Sequence, residues 1–333
     1  MNFVCRIDFI ERKTVETRRL GESDLEFTTI GLGTWAIGGG DWNYGWGPQE
    51  EKDGIDTVVA ALDCGINWID TAPVYGAGTS ETTVGKGIAA AKAAGLPVPY
   101  VATKCGRINQ PDGSVTGDLS KEGIFREVED SLKRLGVEVI DLYQIHWPKP
   151  DADIETAWSA LCELREQGKI RYAGVSNFDA KQLKRVAAIG PVTSLQPPYS
   201  LITRNVESDI LPYCESNNVG VICYSPMYKG LLTGAFDESR LNSLDPSDHR
   251  CNDRNFQSPK LEEHLALVEK LKPIAERNER SLAQLAIAWV LNHSAVTSAI
   301  VGARRPDQIK ATAAAGDWKL SVEDLAEITA LLV

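Results

Sequence analysis

A chain of 333 residues, 43% apolar and 24% charged, can bury a sizeable core, and its length suits one large α/β barrel or two ordinary domains. With 46 acidic against 35 basic side chains it carries a net charge of −11, which disfavours nucleic acid and anionic membrane surfaces as partners. Seven dispersed cysteines without a C-x-x-C pair, and no apolar run of about 18 residues, point to a reduced, cytoplasmic protein without disulfide frame, zinc site or membrane span.

The N-terminus lacks the long apolar stretch of a signal peptide, so residues 1–16 read as a polar extension and 17–333 as one folded domain. Thr17–Glu26 resembles a small hairpin able to close one end of a barrel. Short β-branched runs follow at roughly 29–33, 66–70, 99–103, 139–145, 170–174, 193–196, 219–224 and 298–301. Helical patterns alternate with them, near 50–64, 80–92, 121–135, 154–167, 179–188, 207–217 and 262–278. Ile124, Val128, Leu132 and Leu135 share one helix face, and Gly136 stops that helix. An eighth helix begins near Pro306, and Ser321-x-x-Asp324 caps a last one. Trp158 and Trp289 fall in helical patterns as core residues.

Eight strands, each followed by a helix, is the count of an α/β, (β/α)8 TIM barrel, here with an N-terminal β-hairpin and an extra C-terminal helix. A doubly wound sheet competes, but Gly31-Leu-Gly33 has no third glycine in register for its dinucleotide fingerprint. The least regular stretch, residues 236–260, is long enough to be expected as functional or mobile.

In barrels, chemistry gathers at the C-terminal strand ends. The second strand ends in Asp70, with Tyr75 in its loop; the third ends in Lys104 and the fourth in His146. Singly, each has a plainer reading: Asp70 as a helix N-cap, Tyr75 as packing, Lys104 as a solvated terminus, His146 as a satisfied structural histidine. Jointly they make a proton donor, with an ammonium lowering the phenol's pKa, a carboxylate orienting that ammonium, and an imidazole positioning a substrate oxygen. The four histidines form no metal motif, His249 and Cys251 alone are too few ligands, and no metal is expected.

The ordered motifs Gly31-L-G-T-W, Asp70-T-A-x-x-Tyr75-G, A-T-Lys104, D-L-Y-Q-I-His146, Gly174-V-S-N-F, Gln196-P-P-Y, Tyr224-S-P and Gly302-A-R-R-P-D-Gln308 resemble the aldo-keto reductase superfamily. Within it they look most like the bacterial general-stress and inositol-operon oxidoreductases, which are similar to potassium-channel β subunits. The resemblance covers about residues 17–330. It implies NADP (NADPH) held across the strand ends and the tetrad Asp70, Tyr75, Lys104 and His146, with Tyr75 as general acid in reduction. It implies cofactor contacts from Thr34, Trp35, Asp70, Ser176, Asn177 and Gln196 at the nicotinamide side. Tyr224, Ser225, Pro226, Met227, Lys229 and Gly230 would follow the pyrophosphate, and Gly302, Arg304 and Gln308 the adenosine 2′-phosphate.

Alternatives stand beside several of these: Asn177 with Asp179 as a turn cap, Lys229 as a solvated lysine, Arg304-Arg305 as a solvated basic pair. The chain departs from the family at Ala311 and Thr312, where glutamate and asparagine often contact adenine, and at Ala235, where lysine is common. Trp35, Tyr75, His146 and Trp147, with Tyr199 and the 236–260 stretch, are expected at the substrate mouth. The implied activity is NADP-dependent reduction of aldehydes or ketones, a small-molecule carbonyl or alcohol being the partner. A sugar or polyol dehydrogenase and a nucleotide-sensing subunit are the alternatives, and either a monomer or a homo-oligomer fits.

Overall fold

The computed structural model describes residues 15–40 and 42–332. The expected N-terminal extension falls almost wholly on residues 1–14, outside the described residues. Strands β1 (Thr17–Arg19) and β2 (Glu26–Thr28) form the antiparallel hairpin. Eight parallel strands then close a barrel in chain order: β3 (Ile30–Gly33), β4 (Trp68–Asp70), β5 (Tyr100–Cys105), β8 (Ile140–Ile145), β9 (Ile170–Ser176), β10 (Ser194–Gln196), β11 (Gly220–Tyr224) and β12 (Val296–Gly302). A closed ring of parallel strands excludes the doubly wound sheet.

Around the barrel lie α1 (Glu51–Asp63), α2 (Thr79–Ala93), α3 (Lys121–Leu135), α4 (Ile154–Glu166), α5 (Ala180–Ala187), α6 (Ile210–Ser216), α8 (Lys260–Arg277) and α10 (Pro306–Ala313). The sequence shows why they start and stop. The Ser120 hydroxyl accepts from Gly123 N at α3's head, and Gly136 turns left-handed (φ 68) at its foot. Ser321 caps α11 (Val322–Leu331), but Asp324 does not return the bond. Its carboxylate instead takes Arg277 Nε at 2.9 Å, so half of the expected box ties two helices together.

Three elements were not foreseen: an antiparallel hairpin of β6 (Arg107–Asn109) and β7 (Val115–Gly117), the short α7 (Glu238–Asn242), and α9 (Leu282–Leu291). Helix α9 is buried from Leu285 to Leu291, so it shows no amphipathic period, although Ser281 and Gln284 make a full capping box.

Period-two alternation divides the core. Ile69 points out into the strand–helix layer, while Trp68 points into the barrel with Ala102, Leu142, Ile222 and Ile300. The hairpin's Leu20, Leu25 and Phe27 join this inner cluster, and Phe27 stacks on Trp68 at 4.5 Å between centroids. Gly31 makes room for that plug, since a Cβ there would lie 2.1 Å from the Trp68 ring. The hairpin thus seals the N-terminal end of the barrel. Two residues beyond Trp68, on the same inward side, comes Asp70 at the open end.

Candidate active site

Strands β4 and β5 bring Asp70 and Lys104 face to face. Lys104 is fully buried, and its Nζ donates to Asp70 Oδ2 at 2.7 Å, Oδ1 at 2.9 Å and the Thr71 carbonyl at 2.9 Å. It also reaches Tyr75 Oη at 3.4 Å. Asp70 is therefore no helix cap, as Gly78 occupies that place before α2, and Lys104 is no solvated terminus. His146 follows β8, anchored by its backbone N–H on the Cys105 carbonyl. Its ring meets Tyr75 edge-on, 5.7 Å between centroids. The four side chains converge on one point of the rim, and both rings keep an edge open to the cavity.

The electrostatics differ from expectation in one respect. Burial, then the carboxylate of Asp70, push the Tyr75 phenol well above its ordinary 10. The Lys104 ammonium does not reverse this because Asp70 neutralises it; burial itself holds that ammonium below its usual range. Burial, with Lys104 and Arg107 adding positive charge, holds His146 well below 6.5, so its imidazole is neutral. The result is a protonated phenol beside a neutral imidazole.

Beneath the tetrad lies a buried polar layer. Gln196 Nε2 donates to Asp70 Oδ1 at 2.8 Å, so this amide supports the carboxylate. Thr34, expected at the cofactor, does not reach the cavity: it is fully buried, and its hydroxyl donates to the Asp70 carbonyl at 2.9 Å. Asn177 Nδ2 holds the His146 carbonyl at 3.0 Å and its Oδ1 accepts from Tyr224 Oη at 2.9 Å. Asn177 is left-handed (φ 63) and does not cap α5; Asp179 does, in a capping box with Gln182.

A cavity of about 790 Å³ runs from these residues across the strand ends to the N-terminus of α10. The other residues implied for cofactor binding line it, from Trp35 and Ser176 through Tyr224–Gly230 to Gly302, Arg304 and Gln308. An elongated nicotinamide dinucleotide fits this channel. Ser225, Tyr228, Lys229 and Gly230 all have positive φ, the kind of strained run found at ligand clamps. A Cβ on Gly302 would meet nothing within 4 Å, and the N-terminus of α10 carries the positive end of its helix dipole.

Two of the expected cations are engaged with protein groups. Lys229 Nζ lies 2.7 Å from Asp253 Oδ2. Arg304 Nε donates to Gln49 Oε1 at 2.8 Å, Nη1 to the Trp46 carbonyl at 2.8 Å, and Nη2 to the Pro48 carbonyl.

The 236–260 stretch is packed, with Phe236 and Phe256 buried against each other, and it forms part of a cover. His249 lies 4.8 Å from both Trp35 and Trp46, its Nδ1 on the Gly45 carbonyl at 2.9 Å. Trp42 stands 6.2 Å from Tyr75. Tyr199 is absent from this wall; it is buried, bonded to Glu207 at 2.8 Å and packed on Trp289. Sequence reasoning missed Trp42, Trp46 and Arg107 in the wall. For Arg107 a signal existed in Pro111-Asp112-Gly113, a turn between two short strands. Among the described residues no group of three or more His, Cys, Asp or Glu side chains could hold a metal. No helix there is long and apolar enough to cross a membrane.

The family description "Aldo/keto reductase family" matches residues 29–333. The aldo-keto reductase YhdN of Bacillus subtilis (strain 168) is 38% identical over 319 residues, covering 96% of this chain and 94% of that one. The NADH-specific methylglyoxal reductase of Escherichia coli (strain K12) is 37% identical over 318 residues, covering 92% and 94%. Among solved structures, the glycerol dehydrogenase of Gluconobacter oxydans superposes with a TM-score of 0.84 at 39% identity, covering 95% of each chain. An aldo-keto reductase of Bacillus halodurans gives 0.78 at 28%, covering 95% and 96%. Tetrad, barrel and sequence agree: the chain belongs to the aldo/keto reductase family.

Proposed function

We propose that this protein reduces aldehydes or ketones to alcohols with NADPH, Tyr75 delivering the proton. The observation that carries the reading is the Lys104 ammonium set between Asp70 and the Tyr75 hydroxyl, with His146 across the ring. A bound nicotinamide supplies the hydride to the carbonyl carbon. His146, neutral, orients the carbonyl oxygen. Tyr75, kept protonated by burial, gives its proton to that oxygen as the charge develops, and Lys104 stabilises the phenolate left behind until water restores the proton. A phenol raised by burial is in the protonated form that a proton donor to the carbonyl oxygen needs. We assign NADP(H) because Arg304 and Arg305 flank the α10 N-terminus, where a 2′-phosphate would be matched by guanidinium and helix dipole.

The test is NADPH consumption with a panel of aldehydes, comparing wild type with Tyr75→Phe; undiminished turnover in the variant would remove the proton donor. Binding of NADPH with no turnover on any substrate would favour a nucleotide sensor. A second reading, polyol oxidation, is supported by the likeness to a glycerol dehydrogenase. Likewise the NADH-specific relative supports a parallel NADH arm in the assay.

A further inference from the structure

We propose that Arg107 forms an anion subsite at the substrate end of the cavity, selecting carbonyl compounds that carry a carboxylate or phosphate group. This rests on the carbonyl-reductase reading above and names its substrate class.

The cavity is electrostatically lopsided in a chain of net charge −11. Among its described lining residues Asp70 is the sole carboxylate, and Lys104 already neutralises it. Lysines and arginines line both ends. At the far end, Lys229, Arg250 and Arg305 each pair with a carboxylate, and the phosphates of a dinucleotide account for further positive charge there. No such account covers Arg107 and Lys149, which lie at the other end with Tyr75, His146 and Trp147. Lys149 has at least the Trp147 ring, 5.6 Å away. Arg107, half-buried, has no carboxylate within salt-bridge distance and no acceptor for its guanidinium among the described residues.

Its position is built rather than incidental. Two residues, Cys105 and Gly106, separate it from Lys104, and Gly106 donates its N–H to Glu127 Oε1 at 3.0 Å. Strand β6 pairs with β7, and Asn109 Nδ2 holds the Val74 carbonyl at 3.0 Å, fixing the hairpin to the segment that carries Tyr75. Arg107 is close enough to help keep His146 neutral. A half-desolvated guanidinium without a partner among the described residues is a costly arrangement that a bidentate oxyanion would complete. An anionic group docked there would leave the substrate's carbonyl to Tyr75 and His146.

The experiment compares kcat/KM for two anionic aldehydes, succinic semialdehyde and D-glyceraldehyde 3-phosphate, with their neutral counterparts butanal and D-glyceraldehyde. Wild type is expected to prefer the anionic member in at least one of the two comparisons, and that comparison identifies carboxylate or phosphate as the matching group. Arg107→Gln should cut the anionic-to-neutral ratio at least tenfold through KM, and Arg107→Lys should restore part of it. No anionic preference in wild type, or an equal loss on both classes in Arg107→Gln, overturns the subsite while leaving carbonyl reduction standing. Absence of turnover on all four would sink the reductase reading instead. Calorimetric binding of succinate and inorganic phosphate, lost in Arg107→Gln or absent in wild type, then decides the subsite by itself.

Discussion

Gln196 and Lys104 donate to the same carboxylate oxygen, Asp70 Oδ1, at 2.8 and 2.9 Å. The amide is thus a positioning residue for the Asp70–Lys104 pair. Removing it in Gln196→Leu takes away a bond to a charged acceptor worth about 1.5–3 kcal/mol, so kcat is expected to fall on the order of tenfold. KM for the cofactor should stay within about twofold. A large rise in that KM with kcat retained would return Gln196 to direct contact with the nicotinamide.

Asp70→Asn leaves a fully buried ammonium without its counter-charge. Breaking such a pair costs roughly 3–5 kcal/mol. Chemical denaturation should show that loss, and the reduction rate should fall with it. A variant as stable as wild type would mean the pair is poorly coupled.

Glu127 offers a pH signature. Burial raises its carboxyl from 4.5 to about 8, and one of its oxygens has no hydrogen-bond partner. Between those two values the folded state holds a proton that the unfolded state has released, so stability falls as pH rises through the window. Glu127→Gln should flatten that slope and stabilise the protein by roughly 2–3 kcal/mol near pH 8. Parallel stability profiles for the two proteins would refute it.

His249 titrates the opposite way. Burial between two tryptophans lowers it to about 4. From its ordinary 6.5 downwards an opened cover takes up a proton that the closed one does not, so closure weakens on acidification. Tryptophan fluorescence followed from pH 7 to 4 should report opening at Trp35 and Trp46, and His249→Phe should suppress it.

Arg304 is held by Gln49 and the Trp46 carbonyl on the 42–50 segment. If it also meets a 2′-phosphate, Arg304→Ala should raise KM for NADPH by about tenfold or more and KM for NADH far less. Equal rises with both nucleotides would assign Arg304 to holding the segment alone.

Most of this architecture was legible because most barrel strands are short apolar runs with β-branched residues between turns, and the surface helices carry apolar faces. The tetrad was legible because three successive strands end in polar residues. What escaped had no local pattern. Helix α9 is apolar on all sides, and β6 and β7 have three residues each. The partner of Gln196 lies 126 positions away, so its commitment to Asp70 is a matter of barrel closure. The raised Tyr75 phenol depended on how much burial outweighs an ammonium already neutralised, a balance that residue types alone do not set.

The stacked Phe27 and Trp68 rings under Asp70 have a kinetic meaning. A barrel with a solid floor is a blind alley, so arrivals and departures use one doorway. If Tyr75 is the proton donor proposed above, a product slow to leave would stand in the path of the next substrate and of the water that restores the phenol. On the proposed activity, traffic through that doorway would compete with proton transfer at the phenol in setting the pace of turnover.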